Sequence, residues 1–549
     1  MNKNQKTILS MLVLALMAFS IAAALTPAIA LTEPSTPAGL QWPNALVNPG
    51  QLTVAGSSTV APVATEEITP PAGTTGFTAY FNNLIATSGG KVNSPTLTTD
   101  VSLSGFGSGT AVPALDYTGG VADVGEMSRP LSSTEYSVPC MANLQQWAIG
   151  VDSVAIVMSK DMSWFLPALA AQTPSVTGLT TLQVAELFQD TSPTTTAVNQ
   201  GLTTGASGYV PYCSTWASFF ALQGWTVPSA DATLAAATIN RAARDPTSGT
   251  FDCFNNYFAV PNGYQFENKA VTSTSNGQST VVGSQEMAAF TYCEENANIQ
   301  STITASSANN YIAFISLGYL TNAGTSMIGI PIAYTTNTTP TTSGSPLIHY
   351  YGTAISATST PPEVGFATGT VNPPVWSAPV QPTQANVIWA YSGQKVTASS
   401  QWGAATGMYQ AWRWLWEVTP GAIPSSGPCL AAGVWIAYMM EPGTTHSGTS
   451  NFVQDASYIP LSRADMAGGT PIDSNLNTYS PVSTQTQTIP DGKVSGTDFF
   501  YFVDAYIAYY ANNIYNPYAD TTAQGYINGA SFFGFVGAYV NYFTTYAPT

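Results

Sequence analysis

Between residues 52 and about 320, short apolar runs alternate with stretches of helical spacing. The runs cover residues 52–55, 149–158, 182–188, 238–242, 287–293 and 312–315. Apolar runs bounded by turn residues predict strands buried on both faces, and their alternation with helices predicts an α/β architecture with largely parallel sheets. Residues 334–384 are dense in Thr, Pro, Ser and Gly and read as an elaboration of long loops, with a sequon at Asn337-Thr338-Thr339. Compact patterning returns over 385–466 and includes an aromatic run at 412–418, whereas 467–488 is a Ser/Thr/Gln/Pro linker. Beyond it, 491–510 and 524–543 repeat at an offset of 33, pairing Gly492 with Gly525, Phe499 with Phe532, Val503 with Val536 and Tyr506 with Tyr539. Each unit reads as a loop followed by a helix of about four turns, too short to span a bilayer.

The N-terminal pattern is different. Lys3 and Lys6 precede an apolar run over 8–25, and Ala28-Ile29-Ala30 follows with small residues. Those three parts predict a secretory signal over 1–30 and a linker over 31–50; a membrane anchor is the alternative.

Charge narrows the function classes. The chain has 549 residues with 12 basic and 29 acidic side chains, and removal of 1–30 leaves 10 basic against 29 acidic, a net of −19. Only 7% of residues are charged, so no basic patch for nucleic acid can be built. The chain is nonetheless 45% hydrophobic and 11% aromatic, enough for a large core under a polar but nearly uncharged exterior, which reads as adaptation to an exposed extracellular setting. Five cysteines, Cys140, Cys213, Cys253, Cys293 and Cys429, show no metal-type spacing, and His349 and His446 are the only histidines. Metal-dependent phosphatase chemistry therefore has few parts to draw on.

Three segments carry candidate chemistry. Ala55-Gly56-Ser57-Ser58-Thr59-Val60 follows an apolar run and precedes a helical stretch, where hydroxyls and backbone N–H groups face an anion or simply cap a turn. Gly105-Phe106-Gly107-Ser108-Gly109-Thr110 leads to Ser128, without the lysine of a nucleotide-binding loop. Arg244 precedes Ser248-Gly249-Thr250, so a guanidinium and a hydroxyl-rich turn can share an oxyanion; a surface ion pair with Asp245 is the plainer reading.

In this order, the three segments resemble the phosphate-binding proteins of ABC importers. The similarity extends through 147–157, 179–188, 312–320, 413–421 and 458–461. The resemblance implies a two-lobed type II periplasmic-binding-protein fold, with lobe 1 from 51–151 and 311–466 and lobe 2 from 152–310. It also implies an exported protein that captures inorganic phosphate for an ABC permease, with Ser58, Thr59, Val60, Ser108, Ser128, Arg244, Ser248, Gly249 and Thr250 as ligands and no enzymatic reaction. Ser128 stands where several family members carry an aspartate, which leaves phosphate, sulfate and arsenate open.

Residues 489–549 resemble a dockerin-type pair of EF-hand-like loops, a small all-helical module. Its calcium ligands are degraded to Asp491 and Asp498 in one loop and Asp520 in the other, so no cofactor is expected. Such a module implies a surface-attachment partner, and a cell-surface structural or adhesive protein built on the same fold is the competing function.

Overall fold

The computed structural model describes residues 48–70, 75–90, 92–104, 107–115, 121–129, 145–188, 213–245, 248–259, 278–281, 290–305, 309–334, 376–392, 395–396, 398, 402–420, 427–439, 453, 456–460, 502–503, 506–507, 509–510 and 527–545. The expected signal, residues 31–47 of the first linker, the whole of the second, the sequon and the candidate calcium ligands Asp491, Asp498 and Asp520 lie outside these residues.

The fold is α/β, and its organiser is β4 (Gln145–Ser159), a 15-residue strand. The first half-sheet pairs β1 (Thr53–Gly56) in parallel with β2 (Ser102–Ser104) and β3 (Val124–Met127). The second brings together β6 (Asn240–Arg244), β7 (Gln278–Val281), β8 (Phe290–Cys293) and β9 (Tyr311–Ser316). The antiparallel strand β12 (Trp412–Thr419) inserts between β3 and the first part of β4, while β9 pairs with Val154–Met158 further along the same strand. The resulting order is β2-β1-β3-β12-β4-β9-β6-β8-β7, so one continuous backbone ladder serves both halves.

One expectation shifts. Residues 182–188 form a helix, α4 (Thr181–Phe188), not a strand. The reason is a reciprocal cap: Gln183 N–H donates to Thr180 Oγ1 at 3.1 Å and Thr180 N–H donates to Gln183 Oε1 at 2.9 Å. Both β9 and β10 (Met327–Gly329) pair with the C-terminal part of β4, while β5 (Leu179–Thr180) and β11 (Ile332–Ala333) pair with each other in parallel.

Helices cover the sheet where their apolar faces require it. Preceding α4, α1 (Ala61–Ile68), α2 (Phe77–Thr87) and α3 (Ser108–Ala114) follow β1 and β2. After it come α5 (Gly249–Phe254), α6 (Asn296–Thr304) and α7 (Leu430–Met439). Every residue of α7 is buried, as an all-round apolar helix must be. Its Trp435 meets Phe77 edge-on at 5.1 Å, and Tyr438 stacks on Tyr80 at 3.9 Å. The C-terminal segments pack on each other through Phe502 against Phe532 and Phe535, with Phe532 and Phe535 on α8 (Gly529–Thr545). No described helix is long and apolar enough to cross a membrane.

The first half also buries three carboxyl groups together. Glu417 on β12 lies directly opposite Glu126 on β3, and Glu67 of α1 approaches both; all three are buried. Glu67 and Glu417 find no partner for either carboxyl oxygen among the described residues. Burial, reinforced by the neighbouring acids, pushes Glu67 and Glu417 up, and burial alone pushes Glu126 up to about 8.

A group held protonated only in the folded chain has a defined effect on stability. Below the ordinary carboxylate value it is neutral in both states. Between there and its folded value, the unfolded chain releases the proton first, which lowers stability by about 1.4 kcal/mol per pH unit for each group. Thermal unfolding should therefore occur at progressively lower temperature as pH rises from about 4.5 to 8. Glu417→Gln should flatten that slope and raise stability at pH 8 by about 2 kcal/mol. An unfolding temperature that rises over the same range would contradict the assignment.

Candidate functional site

The three sequence segments meet at one buried point between the half-sheets. Gly56 closes β1 at φ +140°, and a Cβ there would sit 2.2 Å from the Glu126 carbonyl oxygen, so only glycine lets the chain turn into α1 against β3. The turn delivers Ser57, Ser58 and Thr59, all buried. Ser57 Oγ donates to Ser128 Oγ at 2.9 Å, and Ser128 N–H donates to Ser108 Oγ at 3.0 Å, which ties the first and second segments together.

The third segment arrives from the second half. Arg244 ends β6 with its side chain buried, and its NH2 donates to Ser58 Oγ at 2.9 Å across the cleft. Arg244 NH1 donates to Thr250 Oγ1 at 3.3 Å, and Thr250 Oγ1 lies 3.4 Å from Thr59 Oγ1. Gly249 faces Ser128 so closely that a Cβ would come within 2.4 Å of the Ser128 carbonyl oxygen.

Two expected ligands also hold local structure. The Val60 N–H donates to the Ser57 carbonyl at 2.9 Å, which spends that amide on the turn. Ser248 Oγ accepts from the Phe251 N–H at 3.1 Å and so caps α5. Ser58, Thr59, Ser108, Ser128, Arg244, Gly249 and Thr250 do converge.

Sequence reasoning missed the second cation. Arg413 on β12 lies directly opposite Asp152 on β4, and its Nε and NH2 donate to Asp152 Oδ2 at 3.1 and 2.7 Å, with both side chains fully buried. The same NH2 reaches Thr250 Oγ1 at 3.0 Å and Thr59 Oγ1 at 3.4 Å. Asn296, at the start of α6, donates from Nδ2 to Thr59 Oγ1 at 3.1 Å. A signal for the pair exists: Asp152 is the one charged residue of β4 and Arg413 the one basic residue of β12, both inside otherwise apolar strands, where a buried arginine calls for a carboxylate.

Electrostatics follow from this layout. Burial and the like charge of Arg413 push Arg244 down to about 10, which still leaves it protonated at neutral pH. Burial opposes the charge on Arg413 most strongly, but Asp152, Cys253 and Tyr458 together outweigh it and hold that guanidinium above its ordinary value. Arg244 Nε and Arg413 NH1 are buried without a partner among the described residues. Two guanidinium groups, five hydroxyls from Ser58, Thr59, Ser108, Ser128 and Thr250, and one carboxylate paired with Arg413 make a site able to hold an anion.

No known family's sequence profile matches the chain, and no curated protein matches it either. Among solved structures, the chain is similar to an ABC-type phosphate transport receptor from Vibrio cholerae, at 13% identity over 74% of this chain and 99% of that one, with a TM-score of 0.33. It is also similar to PstS from Borrelia burgdorferi, at 12% identity over 74% and 98%, with a TM-score of 0.31. A third is the ancestral soluble variant of the human phosphate binding protein, at 14% identity over 78% and 98%, with a TM-score of 0.37. Likenesses of this size say nothing about side chains, so the functional argument rests on the site itself.

The Asp152–Arg413 pair generates a stability test. Asp152→Asn leaves a buried guanidinium uncompensated and should cost about 3 to 5 kcal/mol in urea unfolding, whereas Asp152→Asn/Arg413→Gln together should cost less than the sum of the single changes. Strict additivity would rule out coupling between the two.

Proposed function

We propose that the protein is an exported solute-binding protein that captures inorganic phosphate between its two lobes for an ABC permease, without reacting on it. The observation that carries this reading is the junction at Arg244. A buried cation from the second half donates to Ser58 of the first, in the midst of hydroxyls from both. A buried guanidinium without a carboxylate of its own favours an anion strongly, because the cost of desolvating the cation has already been met in folding. Ser58, Thr59, Ser108, Ser128, Gly249 and Thr250 surround it and are the proposed ligands. The segments come from separate half-sheets that share β4, so capture and closure are one event, and the closed form is what a permease would recognise.

In the same reading the C-terminal helical pair attaches the protein at the cell surface. Its exposed Phe533 and Tyr510 supply an apolar face for that contact.

Isothermal titration of the full chain with phosphate should give saturable heat at one site per chain. Arg244→Ala should weaken binding by about 2 to 5 kcal/mol, since the anion loses its charged partner. Gly249→Ala, which drives a methyl group against the Ser128 backbone, should weaken binding and also lower the unfolding temperature. Absence of heat with phosphate, sulfate and arsenate alike would refute the reading and favour an adhesive role for the fold.

A further inference from the structure

The buried carboxyl trio of the first half lies on the same elements that build the candidate site. Glu67 is on α1, which starts at Ala61 directly after the turn carrying Ser57, Ser58 and Thr59. Glu126 is on β3 opposite Gly56, and its carbonyl oxygen accepts the Ser57 N–H at 2.9 Å. Ser128 follows two positions later, a span of about 7 Å in an extended chain. Glu417 is on β12, four positions after Arg413 and opposite Glu126. The backbone that shapes the anion turn therefore carries buried acids on its other side.

Both oxygens of Glu67 and Glu417, and Oε1 of Glu126, are buried without a hydrogen-bond partner among the described residues. Nothing there stabilises a carboxylate, and burial pushes Glu126 up to about 8 and the other two upward as well. An anion held at the neighbouring turn and an ionised member of the trio would repel each other. A unit charge about 10 Å away in partly buried surroundings changes an affinity by about tenfold. That interaction is reciprocal: what the anion loses to an ionised trio, the trio's proton gains from a bound anion.

Resting on the anion-site reading above, we propose that the trio makes anion capture proton-linked: the site binds best with all three carboxyls neutral, and its occupation draws a proton onto the trio where one would otherwise leave. Capture is then held through acid and neutral conditions and weakens in alkali. The other titratable groups on the elements packed around the trio are Glu66 on α1, Tyr80 on α2, Tyr438 on α7, Asp123 just before β3 and Asp152 on β4; β1 and α3 carry none. Asp152 is paired with Arg413, Asp123 Oδ2 accepts the Thr53 N–H at 3.0 Å, and Tyr80 stacks on Tyr438. Cys429, just before α7, is pushed up to about 12, chiefly by burial.

Calorimetric titration of the full chain with inorganic phosphate at about pH 8.5, in two buffers of different ionisation heat, counts the protons taken up on binding. The parent should take up about half a proton more per phosphate than Glu126→Gln, whose amide keeps the shape and cannot ionise. Between about pH 6.5 and 8.5 the parent should also lose about threefold more affinity than that variant. The ionisation of phosphate, of His349 and His446, and of Arg244, held down to about 10, is common to both chains and cancels in the comparison. Infrared difference spectra need no variant: phosphate added to the parent at about pH 8.5 should strengthen the protonated-carboxyl stretch at the expense of the carboxylate bands. Equal proton uptake by parent and variant, or no gain in that stretch, would overturn the linkage. Failure of phosphate to bind at both pH values would instead overturn the anion-site reading beneath it.

Discussion

The cross-strand contact between Asp152 and Arg413 is what the rest of the site depends on. It joins β4, the strand common to both half-sheets, to β12, which fills the gap between β3 and β4. Asp152 compensates the buried charge of Arg413, so β12 is held in its register by charge as well as by its backbone ladder. From that fixed position Arg413 touches Thr59 of the first half and Thr250 of the second. One ion pair thus sets the strand order, the spacing of the two halves and the place where their hydroxyls meet.

The distribution of charge across the molecule follows a related economy. The chain has five arginines, Arg129, Arg241, Arg244, Arg413 and Arg463, and among the described residues Arg241, Arg244 and Arg413 are buried. Arg241 is used structurally, with NH1 and NH2 donating to the backbone carbonyls of Ile239 and Cys213. Arg244 and Arg413 face the candidate site. The carboxyl trio of Glu67, Glu126 and Glu417 lies in the first half with no cation beside it among the described residues, and burial favours its neutral form. A surface poor in charge and an interior that stores it are two sides of one composition.

Much of this was legible in the sequence because its signals are local. The strand-to-helix turn at Gly56-Ser57-Ser58-Thr59 and the Arg244 to Thr250 segment each carry their meaning within a few residues, and the structure brings both to one point. The apolar run at 182–188 was misleading on its own, since periodicity cannot separate a short buried strand from a short helix; the Thr180–Gln183 cap decides it. Arg413 and Asp152 are 261 positions apart, and their pairing is fixed by sheet register, which no local pattern encodes. The unavailability of the Val60 amide is likewise a matter of turn geometry: the same residue types would fit either role until the Ser57 carbonyl is seen to take its hydrogen.

The late arrival of β12 has a consequence for how the chain acquires its shape. β3 and the first part of β4 do not touch in the sheet; the strand that joins them lies more than 250 residues downstream of β4. During synthesis from the N-terminus, the first half-sheet must wait with two facing strand edges open until residues 412–419 emerge. Long-range closure of this sort is slow and leaves unpaired edges vulnerable to other chains. A polypeptide with this topology gains from completing its sheet only once residues 412–419 are free to pair.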